Sequence, residues 1–246
     1  MADVLPEPDS GAAGTEWQTA RALERAGVDV CTVWASDMRR RLRHGNLHYL
    51  LELPLTYRTA LRAHLRQGRF DVVHVNQPHG YLAAQDLRAR APAAVFVHRS
   101  HGFEGRVEED LAPWKRLHAV PRPAPVRVAH GLMRAALSRS NRMIARHAHG
   151  HIVSASQCAA YLTCHHGVAA ERIAVIPQAA PRAFQEACPE PMDIGRRLKL
   201  LYVGQFAFIK APFFVAQVAQ QVLQARPQAS FTWVCEGRNH AAARGL

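Results

Sequence analysis

Long apolar runs are missing from this 246-residue chain. No stretch approaches the roughly 18 consecutive apolar residues that a membrane-crossing helix needs, and the opening Met1-Ala-Asp-Val-Leu-Pro-Glu-Pro8 has no basic region followed by an apolar one. The chain therefore reads as soluble and unexported. Cysteine is scarce too: Cys31, Cys158, Cys164, Cys188 and Cys235 are an odd number, dispersed and without a C-x-x-C pair, which argues against a disulfide framework and for a reducing cytosol. Cys158, Cys164, His165 and His166 lie close in sequence, but the five-residue gap between the cysteines is not a usual zinc spacing, and a buried helix carrying small cysteines accounts for it. Ser154 and Ser156 lack the G-x-S-x-G elbow of a hydrolase. No G-x-G-x-x-G follows a strand with an acid about twenty residues later, which disfavours a nicotinamide dehydrogenase.

Acidic residues are also few, 19 against 31 Lys and Arg, for a formal charge of +12. Such an excess suits nucleic acid, an anionic membrane surface or phosphorylated ligands, so its distribution decides. The one dense cluster is Arg39, Arg40, Arg41 and Arg43, followed by His44, while Arg134, Arg139, Arg142 and Arg146 are spread along a predicted helix. No aromatics interleave the cluster as a single-strand platform requires, and no zinc-finger or RNP-like spacing occurs. Nucleic acid is not expected as a partner. Peripheral contact with an anionic membrane through the arginine cluster is the expectation set against a merely solvated surface, in a protein placed in the cytoplasm or at the inner face of the membrane.

What is present is globular: 48% hydrophobic and 20% charged residues. Strand-like and helix-like segments alternate. Trp17, Ala20, Leu23 and Ala26 are spaced as on a helix from Thr15 that stops at Gly27, and Val28 to Trp34 alternates as a strand. A helix over 55–66, the strand 71–75, a helix over 81–90 and the strand 93–97 follow. Residues 126–147 carry apolar positions at spacings of three and four, and strands near 151–154 and 173–176 flank a helix over 157–165. This order implies βαβ crossovers and a Rossmann-like parallel sheet. Pro181, Pro189, Pro191 and Gly195 then accumulate, as in a connection between domains. The expected organisation is a first domain over 1–180, a linker over 181–197 and a second, incomplete Rossmann-like domain over 198–246.

The second domain opens with the segment of most chemical interest, Leu198-Lys-Leu-Leu-Tyr-Val-Gly-Gln-Phe-Ala-Phe-Ile-Lys210. A buried-strand run stops at Gly204 and a lysine stands just before the next helix. The loop after such a strand opens onto the carboxyl edge of the sheet, where α/β proteins bind ligands, and a helix start favours anions. The turn reads either as a phosphate-handling site or as an ordinary connection with a solvated lysine.

Taken in order, Pro8-Asp-Ser-Gly-Ala-Ala-Gly-Thr-Glu16, Asp71-Val-Val-His74, Arg99-Ser-His-Gly102, His151 to Ser156, Arg172-Ile-Ala-Val-Ile-Pro177 and Leu200-Leu-Tyr-Val-Gly204 with Lys210 resemble the retaining nucleotide-sugar glycosyltransferases of family four. The resemblance implies a GT-B fold, α/β, in which two Rossmann-like domains face a cleft. It implies a nucleotide-diphosphate sugar as donor, and a glycan or lipid-linked molecule as acceptor. Gly11 and Gly14 correspond to the glycine-rich turn before the first helix, near donor phosphates and acceptor. Which of the two makes the approach stays open. His101 corresponds to the histidine that contacts the reacting sugar, against the alternative of a structural histidine at a strand end. Gly204, Gln205 and Lys210 correspond to the turn that holds the donor diphosphate, so no metal or other cofactor is implied.

The sequence departs from the pattern at several of these positions. Gln205 stands where the family usually has arginine, and Ala211 where glycine usually follows the lysine. Gln178-Ala179 replaces the usual asparagine and glycine. Losing a guanidinium removes bidentate recognition of phosphate oxygens. The paired glutamates of the family's second domain have no counterpart, Glu236 standing too early, which implies a truncated reading frame that does not transfer sugar by itself. The reading from another class is a non-catalytic binding or scaffold domain that keeps the first-domain fold.

Overall fold

The structure, a computed structural model, describes residues 1–8, 11–102, 104–117, 123–178, 198–205 and 207–235. Inter-residue contacts divide the chain into two compact units, Met1–Pro181 and Arg182–Leu246. The expected linker 181–197, with Gly195, lies outside the described residues, as does Glu236.

In the first unit, β1 (Val72–Asn76), β2 (Val95–Ser100), β3 (Gly150–Val153) and β4 (Ile173–Val175) form one parallel sheet in that order. Its register sets Val75 beside His98 and His98 beside His151. Helices α1 (Gly11–Arg25), α2 (Gly45–Leu47), α3 (Leu53–Gln67), α4 (Tyr81–Arg90), α5 (Glu104–Leu117), α6 (Ala124–His147) and α7 (Ser156–His166) accompany it. The α/β class and parallel sheet follow from the alternation in the sequence, because parallel strands need crossovers of about a dozen residues.

Two expectations differ from the structure. Helix α1 begins at Gly11, before the Thr15 start that the apolar spacing predicts, so Gly11 and Gly14 sit in its first turns and not in a loop ahead of it. A Cβ on Gly14 would run into the carbonyl oxygen of Pro8, so the bare backbone is what lets the incoming chain pass across the helix start. The helix ends as predicted: Gly27 (φ 83°) donates to Glu24 O and Val28 N to Leu23 O, both at 3.0 Å.

The second difference is the segment from Val28 to Trp34, which alternates in sequence yet forms no strand. Its neighbour on the sheet is Met1–Val4, reached by Ala2 N to Val33 O (2.9 Å) and Ala35 N to Val4 O (3.1 Å). Asn76 N in turn donates to Met1 O at 3.1 Å, which places Met1–Val4 between that segment and β1. Alternation supplied a face to bury, but two ladder bonds are too few to hold a regular strand.

The main core lies where α3, α4 and α6 cover the sheet: Leu53, Tyr57, Leu61, Val75, Leu87, Phe96 and Ile144 are at most 2% exposed. Each such side chain contributes about 1.5–3 kcal/mol by leaving water. Tyr57 carries a polar tip into this core, accepting from Asp3 N at 3.0 Å and donating to Asn76 O at 3.1 Å. A smaller cluster of Ala145, Val153, Cys158, Leu162 and Val168 fixes α7 on the sheet. Packing on this scale holds the loops at the carboxyl ends of the strands in place.

The second unit contains β5 (Lys199–Val203) and β6 (Ser230–Val234), paired in parallel and joined by α8 (Pro212–Ala225). Tyr202 and Trp233 meet edge to face at 5.0 Å on one face of the pair. Leu201 and Val203, on the other face, are 67% and 68% exposed.

Candidate functional site

The carboxyl ends of β1, β2 and β4 bring together groups from distant parts of the first unit. β2 runs out through Arg99 into the bend at His101, and Gln178 follows β4. Glu16 and Thr19, one turn apart on α1, face both. Oε1 of Glu16 stands 2.9 Å from Nε2 of His101 and 3.7 Å from Nε of Arg99. The Arg99 guanidinium also donates to Thr19 Oγ1 at 2.8 Å. Gln178 Nε2 lies 3.1 Å from the other ring nitrogen, Nδ1 of His101. An amide N–H donating to Nδ1 leaves the ring proton on Nε2, on the side of the carboxylate. The approach of that nitrogen to Glu16 is close but off line, so neither atom completes an aligned hydrogen bond.

Burial dominates the electrostatics of this edge. It pushes the Glu16 carboxyl upward, but the contact with His101 and the neighbouring His74 and Arg99 side chains outweigh it and hold the acid below its usual range. His74 is pushed down to about 4, by burial first, with the Glu16 charge working the other way. Glu16 is thus an ionised, mostly buried carboxylate that stands between two basic side chains, Arg99 on β2 and His101 in the bend after it. Beside them Gln77, at the end of β1, has φ 76° and ψ 148°, a region few residues other than glycine enter. Strain of that kind collects where a scaffold presents groups to a ligand.

Of the residues singled out in the sequence, His101 lies in this cluster, and Gly11 and Gly14 share α1 with Glu16. Gly11 has open space around its Cα. Glu16, Arg99, Thr19 and Gln178 were not singled out as functional. Glu16 and Arg99 do stand inside the motifs that carry the resemblance, and a charged residue beside each glycine or histidine was the available signal.

Gly204, Gln205 and Lys210 lie in the second unit, in the turn between β5 and α8. Gly204 N donates to Val234 O and its carbonyl accepts from Trp233 Nε1, both at 3.0 Å, so the turn is tied to the end of β6. Tyr202 Oη donates to Lys210 O at 2.7 Å. Lys210 is exposed, and among the described residues no carboxylate lies within ion-pair distance of its ammonium. Ala211, between Lys210 and α8, has φ 50° and ψ 48°. The left-handed conformation costs a residue with a Cβ about 1–2 kcal/mol, and glycine almost nothing. Replacing Ala211 with glycine is expected to stabilise the protein by about 1 kcal/mol, measured by urea denaturation followed on the second unit's tryptophan. An unchanged or lower midpoint would show that the turn is not held in this conformation.

Arg39, Arg40, Arg41 and Arg43 are exposed on the stretch ahead of α2. The Glu52 carboxylate accepts from Arg41 N at 2.7 Å and Leu42 N at 3.0 Å, and the Arg40 side chain folds back onto Leu42 O and Arg43 O. Cys158 is buried in the α7 cluster while Cys164 is exposed. No helix among the described residues is long and apolar enough to cross a membrane.

Comparison with known families adds one finding. The model of the family described as Glycosyltransferase Family 4 matches residues 10–181. That span is more than half of the chain and contains α1, Arg99, His101 and Gln178, whereas Gly204, Gln205 and Lys210 lie beyond it. No curated protein matches the chain.

Proposed function

The chain belongs to glycosyltransferase family 4, and from that premise we propose that it moves a sugar from a nucleotide-diphosphate sugar to a hydroxyl of a glycan or lipid-linked acceptor with retention. The bond between the anomeric carbon and the diphosphate oxygen breaks, the acceptor oxygen bonds to that carbon on the same face, and the acceptor's proton leaves with the departing phosphate. The reading rests on one observation above all: His101 is held at Nδ1 by Gln178 and faced at Nε2 by the Glu16 carboxylate, 2.9 Å away, at the carboxyl edge of a parallel sheet.

In this reading Nε2–H of His101, off line from Glu16, turns to an oxygen of the reacting sugar. Glu16 keeps that proton in place and Arg99 in position. A group aligned in advance need not reorganise as charge develops. The open first turn of α1 at Gly11 presents backbone N–H groups and the positive helix end to anionic donor or acceptor groups. In the second unit Lys210, with Gly204 and Gln205, takes the diphosphate. A single ammonium and an amide provide less planar recognition there than a guanidinium would.

The test is calorimetric titration of the chain with a panel of nucleoside diphosphates. At least one is expected to bind, and Lys210→Ala is expected to weaken that binding by about tenfold or more, the scale of a hydrogen bond to a charged group. Silence across the whole panel, or binding indifferent to Lys210→Ala, would favour a scaffold domain over this reading.

A further inference from the structure

At the amino ends of β3 and β4, the opposite edge of the sheet from His101, lies an open groove of about 430 Å³. Arg142 and Arg146 line it from successive turns of α6, His165 and His166 from the last turn of α7, and Arg172 from the residue before β4. Three guanidinium groups and two imidazoles therefore converge on one space. Among the described residues, no carboxylate stands within ion-pair distance of any of the three arginines.

Helix ends attract cations, and that alone could account for one basic residue per helix. Here that role is already filled on α6. Arg172 donates from Nε to His149 O at 3.2 Å and from one terminal nitrogen to Ala145 O at 3.2 Å and to Ala148 O, which closes the helix end and fixes the guanidinium plane. Arg142 and Arg146 are exposed and add repulsion to it, since like charges one turn apart oppose each other. His165 is held flat against the Tyr161 ring, with centroids 4.3 Å apart and planes at 20°. Glu109 lies on the histidine side of the groove, where Tyr161 Oη donates to it at 3.1 Å, and burial pushes His166 towards its neutral form. The three arginines, with no carboxylate at ion-pair distance among the described residues, match an anion with several oxygens, which arginines bind in pairs of parallel hydrogen bonds.

We propose that this groove is a second anion site that takes a phosphate ester or a diphosphate. Its lining residues all belong to the first unit, and it does not depend on the transfer reaction. The phosphate could be free in solution or carried on a lipid headgroup, and the two sources share the same chemistry.

Inorganic pyrophosphate is the probe, titrated by calorimetry into chain carrying Lys210→Ala, so that the second unit's lysine does not contribute. Saturable binding is expected, weakening with added salt, and the further pair Arg142→Gln and Arg146→Gln is expected to weaken it about tenfold or more. Both side chains are exposed, and an unchanged melting temperature verifies the fold; should the pair destabilise, each single variant is measured instead. In parallel, phosphatidylcholine vesicles with and without phosphatidic acid are sedimented with the same proteins. Loss of pyrophosphate binding in the arginine variants supports a soluble ligand, and loss of acidic-vesicle binding supports a lipid one. If neither is changed by the arginine substitutions, or no binding occurs with either probe, the proposal is wrong.

Discussion

Lowering the pH from 7 towards 4 is expected to unfold the first unit. The cause is a set of histidines folded into it uncharged. Burial pushes His74, His79 and His151 each down to about 4, and His98 well below its usual value. His98 and His151 face each other across β2 and β3, with Nδ1 atoms 3.2 Å apart, so one must donate and the other accept. The accepting ring cannot gain a second proton without breaking that contact, and the donating ring can do so only by placing a charge on a buried Nε2 that has no hydrogen-bond partner. In the unfolded chain each histidine titrates near 6.5. Between that value and 4 the unfolded state therefore binds more protons than the folded one, and stability falls as pH falls. The stability these groups contribute is complete above about 7 and is withdrawn through the window down to 4.

Each group shifted to about 4 contributes a slope of up to about 1.4 kcal/mol per pH unit. Three such groups acting over about two units rival the 5–15 kcal/mol that usually separates folded from unfolded domains. The depressed Glu16 and Asp86 carboxylates act in the same direction lower in the range, and Asp3, raised by burial, opposes them. Urea midpoints measured by circular dichroism from pH 7.5 to 4.5 should drop steeply. His79→Leu should flatten the curve by about one proton, since His79 is buried and contributes one of the depressed groups. A midpoint that stays level from pH 7 to 5 would show that the histidines are not buried uncharged.

Much of the scaffold was legible before any coordinates. The β-branched run Val72-Val-His-Val75 and the apolar step at His151-Ile-Val153 become parallel strands because nothing else satisfies a two-sided apolar segment of that length. Gly27 stops α1 as its freedom at positive φ requires. The segment from Val28 to Trp34 shows the limit of periodicity, which reports which face is apolar but not how many backbone bonds a neighbour supplies. Gly14 was read for its approach to a ligand, whereas its nearest obligation is to the Pro8 carbonyl. Glu16 and His101 were each visible in their motifs, but their pairing depends on how α1 crosses the end of β2, a tertiary fact. Gln178 is visible in the sequence only as a departure from the usual asparagine, and in the structure it stands against the His101 ring. Ala211 was visible as a departure, and only the backbone shows that it occupies a left-handed position.

The second large effect belongs to His101. If the carboxyl edge of the first sheet is where sugar is transferred, removing the imidazole deletes a donor held at Nδ1 by Gln178 and flanked by the Glu16 carboxylate, and losses of about 10²- to 10³-fold are usual for such groups. Glu16→Gln keeps the shape and removes the charge that orients the ring, so it should cost less, about 10- to 100-fold. Both variants should fold, since His101 lies at the rim and the glutamine can still accept from Arg99. The measurement is release of nucleoside diphosphate from a panel of nucleotide sugars, with water or a glycan mixture as acceptor, by the unaltered chain and by His101→Ala. Against the expectation, drawn from the missing glutamate pair, that the chain transfers no sugar by itself, the account predicts release from at least one donor and its fall by about 10²-fold or more in the variant. Release that is equal in both proteins, or absent for every donor, would contradict it.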